Sequence, residues 1–115
     1  MSELFSYTVA AEFDDPAVAR EWVDWLRDEH LDEVLAAGAL DAKVVVLDAP
    51  GGSSTKPGCL CEVHYHFPSR EAFAIYEKHH APGLRAKGIA RFPVERGVRL
   101  VRRMGVVAAR SAHAD

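Results

Sequence analysis

His30, Tyr65, Tyr76 and His80 are the side chains whose types and spacing most invite chemistry. An imidazole that titrates near neutrality, set beside a phenol, can take a proton from an acidic carbon or hydroxyl of a substrate. The four residues come from three separate segments, and the periodicity of each segment turns them inward. Trp22, Trp25, Leu26, Phe67 and Phe73 fall on the same inward faces and would give an aromatic ligand a flat apolar wall. On the residues alone the blander alternative stands first. Two histidines on apolar helix faces can fill a core while hydrogen-bonding each other, a tyrosine or a backbone carbonyl.

Glu62, His64 and His66 form a second cluster, alternating along one strand face. His-x-His presents two imidazoles to one side, a spacing that a metal can use with Glu62 as third ligand. That spacing is common by chance and the face is expected at a dimer interface. A polar interface network is therefore the reading, with no metal and no cofactor assigned. His79 sits at the edge of an inward helix face, at a pocket mouth or in solvent. Arg96, Arg99, Arg102 and Arg103 alternate across both faces of the last strand instead of forming a stripe, so they read as surface charge and ion pairs across a dimer. Gly51-Gly52 lacks both the lysine and the following helix of a phosphate loop. No serine elbow with partners is present, so hydrolase chemistry has no support. Cys59 and Cys61 share a strand face with poor disulfide geometry and are too few for structural zinc, which leaves buried reduced thiols.

The elements that must position these groups follow from pattern. Residues 4–13 alternate as a first strand, with Tyr7, Val9, Ala11 and Phe13 on one face. A helix starts at the caps Asp14 or Asp15 with Pro16 in its first turn, and stops at Gly38. At about 100° per residue, Val18, Trp22, Trp25, Leu26, Val34 and Ala37 share its apolar side, and His30 lands among them. Residues 39–49, centred on Val44-Val45-Val46, read as a second strand. The Pro/Gly/Ser loop at 50–58 reads as a solvated connector, with a rim or lid as the functional alternative. Residues 59–67 form a third strand, apolar on Cys59, Cys61, Val63, Tyr65 and Phe67. Ser69 caps a second helix on which Phe73, Tyr76 and His80 share a face, and Pro82 breaks it after Ala81. Leu84, Arg85 and Ile89 belong to a short continuation weakened by Gly88. Residues 93–104 make the last strand.

Strand, helix, strand, strand, helix, strand with right-handed crossovers builds a split β-α-β sheet, α+β in class, with both helices on one face. The other face is too apolar on its second and fourth strands to be left in water, so a homodimer pairing two open sheet faces is expected. The 115 residues suit one domain at 1–105, followed by a patternless tail at 106–115. A net charge of −3 argues against nucleic acid as a main partner. No apolar run approaches the ~20 residues of a membrane span, and residues 1–4 lack signal-peptide character. The expected setting is the cytoplasm, away from membranes.

The chain resembles an uncharacterised ferredoxin-like family of the dimeric α/β-barrel group. Trp22-x-x-Trp25 with His30, Val34-Leu35 and Gly38 carries one half of the resemblance. Tyr76, His80-Ala81-Pro82, Leu84-Arg85 and Phe92 carry the other, and together they span Tyr7 to about Arg103. The resemblance implies a βαββαβ fold, a four-stranded antiparallel sheet and a dimeric barrel. It adds Arg85 to the pocket residues. Wider relatives include cofactor-independent monooxygenases, lactone isomerases, haem-degrading enzymes and ligand-sensing domains. The leading expectation is binding of a small apolar or aromatic molecule between helices and sheet. The alternatives are a cofactor-independent monooxygenase or isomerase with His30 or His80 as proton acceptor and Tyr76 as its partner, and a non-catalytic interaction dimer.

Overall fold

Four strands, Phe5–Phe13 (β1), Asp41–Val46 (β2), Leu60–Phe67 (β3) and Val98–Val106 (β4), pair antiparallel in the order β2-β3-β1-β4. The computed structural model describes residues 3–48 and 56–113, so most of the 50–58 loop lies outside the described residues. β1 is the spine. Tyr7 stands opposite Tyr65 of β3 and Met104 of β4, and Val9 stands opposite Val63 and Arg102. The alternation read in the sequence is the alternation of burial: Phe5, Tyr7, Ala11, Phe13, Cys61, Val63, Tyr65 and Phe67 are buried, and their strand neighbours are half-buried.

Two helical passages cover that buried face. The first opens at Asp15, whose Oδ1 accepts the Ala17 N–H at 2.8 Å, with Pro16 as first helical residue. It is not one helix. Pro16–Trp25 (α1) and Leu31–Ala36 (α2) flank a π-turn over Leu26–His30, where the Leu31 N–H donates to the Leu26 carbonyl. Hydrophobic spacing does not reveal this widening, because the inserted residue still lies among apolar neighbours. Gly38, at φ +124°, ends the passage in the left-handed region.

The second passage starts at Ser69, whose Oγ accepts the Ala72 N–H at 3.0 Å, and runs as Arg70–His79 (α3). The break falls at His80 (φ −122°, ψ −42°), and Ala81–Arg91 (α4) then forms a full eleven-residue helix where a short continuation was expected. Pro82 lies in its first turn, where a missing N–H costs nothing. Gly88 has a packing role there. A Cβ at Gly88 would lie 3.3 Å from Cη2 of Trp25, so the glycine lets the indole sit against α4.

β4 begins later than the pattern suggested. Pro93 opens a 3₁₀ turn over Val94–Arg96, and Gly97 at φ +76° then turns the chain into the strand. Only glycine fits, since a Cβ would come 2.6 Å from Asp14 Oδ2. Pairing continues past the expected end at Met104, with the Val107 N–H donating to Leu4 at 2.9 Å. Arg99 pairs inside the chain with Glu12 and Asp14, and Arg96 with Glu21, where pairs across a dimer were expected. Cys59 and Cys61 are buried free thiols, and burial beside Cys59 pushes Cys61 up to about 11. Among the described residues no helix is long and apolar enough to cross a membrane.

Candidate ligand cavity

Between the helices and the centre of the sheet lies a cavity walled mostly by apolar and aromatic side chains. Its volume is about 60 Å³, and it opens to solvent at one side. Of the residues singled out in the sequence, Trp22, Trp25, Leu26, His30, Tyr65, Tyr76 and Arg85 line it. Five elements deliver them. Trp22 and Trp25 come from the buried side of α1, and Leu26 and His30 from the two ends of the π-turn. Tyr65 comes from the apolar face of β3, Tyr76 from α3 and Arg85 from α4.

The π-turn decides where His30 goes. In an α-helix, residues five apart stand about 140° from each other. A turn closed by an i→i+5 hydrogen bond brings them nearly to one side. The His30 ring accordingly stacks on Trp25, with centroids 4.4 Å apart and planes at 19°. Phe92 packs on the same indole at 5.5 Å. Burial holds the imidazole down at about 4; Glu33 opposes that fall and Lys87 adds to it. Its Nδ1 has no hydrogen-bond partner, and the nearest carboxylate oxygen, on Glu33, is 4.0 Å away.

Two other buried polar atoms are equally alone: the hydroxyl of Tyr65 and Nε of Arg85. Tyr65 is only 1% exposed. Burial first, then the neighbouring phenols of Tyr76 and Tyr7, push its hydroxyl far above the usual phenol range. Tyr76 is raised as well, by burial and then by Tyr7, with Arg85 pulling the other way. Both are neutral phenols at any physiological pH. Arg85 reaches Glu77 and the Tyr7 hydroxyl through Nη2.

Three of the residues named from sequence stand elsewhere. His80, expected beside Tyr76, is exposed in the break between α3 and α4, because the backbone leaves helical geometry at that residue and the face set by Phe73 and Tyr76 ends before it. His79 is exposed as the last residue of α3. Phe73 is buried in an aromatic cluster with Phe5, Tyr7 and Phe67, at centroid distances of 4.9, 4.9 and 5.2 Å, and does not line the cavity. Tyr7 and Arg102 were missed. Arg102 stands beside Val9 in the β1–β4 register and its Nε donates to the Tyr7 hydroxyl at 3.2 Å. The signal existed, since strand alternation puts Arg102 on the face of Val98 and Leu100, but a set of arginines spread over both faces reads as surface charge.

The open-face histidines do not converge. Nε2 of His64 meets Glu62 at 3.0 Å and Nδ1 meets Thr8 at 3.3 Å, while His66 pairs with Asp41 of β2 at 2.9 Å. Among the described residues no group of three or more His, Cys, Asp or Glu side chains is arranged to hold a metal ion.

A four-stranded antiparallel sheet with helices on one face, in this connectivity, defines a ferredoxin-like α+β protein. Residues 5–98 match the family described as DUF4286, a domain of unknown function, and the chain belongs to that family. No curated protein matches the sequence. Solved structures share the fold. A dimeric ferredoxin-like protein from an uncultured marine organism aligns at TM-score 0.73 and 11% identity, over 96% of this chain and 100% of that one. A monooxygenase from the gene ActVA-Orf6 of Streptomyces coelicolor, solved in complex with nanaomycin D, aligns at 0.66 and 15%, over 98% and 93%. An EthD-like protein from Ralstonia eutropha JMP134 aligns at 0.60 and 16%, over 97% and 98%.

Proposed function

We propose that this protein binds a small, flat, largely apolar or aromatic molecule in the cavity between helices and sheet. Trp22, Trp25 and Leu26 line the ligand's body, and His30, Tyr65, Tyr76 and Arg85 orient its polar atoms. One observation carries the reading: three buried polar atoms without partners, from the π-turn, β3 and α4, belong to residues that line the same cavity. Native chains leave few such atoms, because each costs about 1–3 kcal/mol. Three at one place are accounted for by a partner from outside the chain. The use of the same fold by a monooxygenase that holds nanaomycin D supports the reading. The test is titration of Trp22 and Trp25 fluorescence with 1,4-naphthoquinone and 2-hydroxy-1,4-naphthoquinone. Saturable one-to-one quenching is expected, weakened roughly tenfold in Gly88→Leu, whose side chain would occupy the space beside Trp25. Circular dichroism checks that the variant is folded. Absence of saturable quenching by either quinone overturns the reading.

The second reading is a cofactor-independent monooxygenase or isomerase with His30 as proton acceptor and Tyr76 as hydrogen-bond partner. The free Nδ1 of His30 favours it. The magnitude does not. An imidazole held at about 4 takes a proton from an acid of pKa ~10 only against about 8 kcal/mol, unless the ligand itself stabilises the imidazolium. Binding therefore stands first. Oxygen uptake with a dihydroxynaphthalene, lost in His30→Phe, would reverse that order.

The assembly reading is a homodimer formed through the open sheet face. That face mixes half-buried Ala10, Leu60 and Val45 with polar groups, and Val101, opposite Ala10, is 53% exposed. The dimeric state of ferredoxin-like relatives supports it. Sedimentation equilibrium should give a dimer that Val101→Glu converts to monomer, and a monomeric wild type at micromolar concentration sinks the idea.

A further inference from the structure

Around Tyr7 the cavity wall has a polarity that an apolar ligand alone does not explain. The Tyr7 hydroxyl accepts from two guanidinium groups, Arg85 Nη2 at 3.3 Å and Arg102 Nε at 3.2 Å. Guanidinium groups only donate, so the phenol oxygen is used twice as acceptor and its own O–H is left to donate elsewhere. Arg85 has one carboxylate, Glu77, yet its Nε is buried without an acceptor. Arg102 lines the cavity, is exposed at its rim, and has no carboxylate within 4.0 Å among the described residues. The Tyr65 hydroxyl, 1% exposed, is a further donor without an acceptor. The free polar groups here, Arg85 Nε, the Arg102 guanidinium and the hydroxyls of Tyr7 and Tyr65, can all donate, and two guanidinium charges face one carboxylate.

We propose that this part of the cavity takes a ligand bearing an ionised oxygen, as carboxylate, phenolate or enolate, seated against Arg102, Arg85 and Tyr65. The inference rests on the ligand-binding reading above and names the class of ligand. A neutral carbonyl would engage one donor and leave the charge uncompensated. An oxyanion accepts from several donors at once, and its hydrogen bonds to guanidinium are charge-assisted. Arg102 is then the residue that sets specificity, because of the two guanidinium groups on the cavity wall it is the one with no carboxylate within 4.0 Å among the described residues, whereas Arg85 has Glu77.

The experiment compares 2-naphthoate with its neutral analogue 2-naphthamide by fluorescence titration at neutral pH and low salt. The wild type should bind the carboxylate roughly tenfold more tightly than the amide or better. Arg102→Gln should bring that ratio close to one, and Arg102→Lys, which keeps the charge but loses the fork, should restore part of it. Raising salt should weaken only the carboxylate. Equal affinity for the two probes in the wild type, or an undiminished ratio in Arg102→Gln, overturns the anion proposal while leaving the cavity reading in place. If neither probe binds while the naphthoquinones still quench, the anion proposal falls and the cavity reading stands; if the naphthoquinones fail as well, both fall.

Discussion

On the open face of the sheet, His64 is engaged by Glu62 and Thr8 and His66 by Asp41, although all of these groups are part-exposed and water could serve them. On the helix-covered face, where water is scarce, His30 Nδ1, the Tyr65 hydroxyl and Arg85 Nε have no partner. Folding stability alone would select the opposite distribution, since an unpaired polar atom is cheap in water and costly in a low-dielectric interior. Polar groups that satisfy one another belong to the architecture and, on an uncovered sheet face, suit the proposed interface. Polar groups left unsatisfied beside a cavity are what the ligand-binding proposal accounts for. The π-turn supports this division, because it gives up regular helix geometry and thereby places His30 against Trp25.

The largest effect expected from this contrast is an acid lability that belongs to His30. Its folded-state value of about 4 lies below the ordinary imidazole value of 6.5, so between those values the unfolded chain binds the proton more readily. Stability is fully present above about pH 6.5 and is lost as pH falls through 4. The loss from this group is about 3 kcal/mol. Urea denaturation of wild type and His30→Phe at pH 7.5 and pH 4 reads the difference directly. The variant should retain about 3 kcal/mol more of its neutral-pH stability at the acid end than the wild type does. Equal losses in the two proteins would mean that His30 is solvated in the folded state, and the covered face would then not be dry there.

Much of this arrangement is legible from residue order, and the parts that are not share a cause. The caps Asp15 and Ser69, Pro16 in a first turn, the left-handed Gly38 and the two-residue alternation of β1 and β3 are local chemistry, decided by a few neighbouring residues. So were the cavity positions of Trp22, Trp25, Leu26 and Tyr65, which follow from those faces. The π-turn was not legible, because a single wide turn leaves the apolar spacing intact on either side. His80 was assigned to the cavity by extending the face of Phe73 and Tyr76 one turn too far. The backbone at that residue, just ahead of Ala81-Pro82, exposes it instead. Gly88 looked like a weakness of α4 until Trp25, about sixty residues earlier, is seen to need the space. Arg102 and Tyr7 meet only through strand register. What escaped reading was decided by contacts between segments distant in sequence.

Removing one hydroxyl from each face gives the smallest effects and the sharpest form of the contrast. Tyr65→Phe deletes a buried hydroxyl with no partner among the described residues, so the free protein should lose nothing and gain about 1 kcal/mol, the low end of what such an unpaired group costs. Ligand affinity would fall in the same variant. Thr8→Val deletes a hydroxyl that contacts His64 Nδ1 at 3.3 Å on the open face. It should cost up to about 1 kcal/mol, moderated because the site is only part-buried and valine suits a strand. Thermal denaturation of both variants at pH 7.5 checks the opposite signs. A double variant of Thr8→Val with His64→Phe should cost less than the two single changes summed, since the pair is then broken only once. A Tyr65→Phe protein destabilised by more than about 1 kcal/mol would reveal a partner for that hydroxyl inside the fold. The unsatisfied face would then be satisfied, and the difference between the two faces would shrink to one of depth alone.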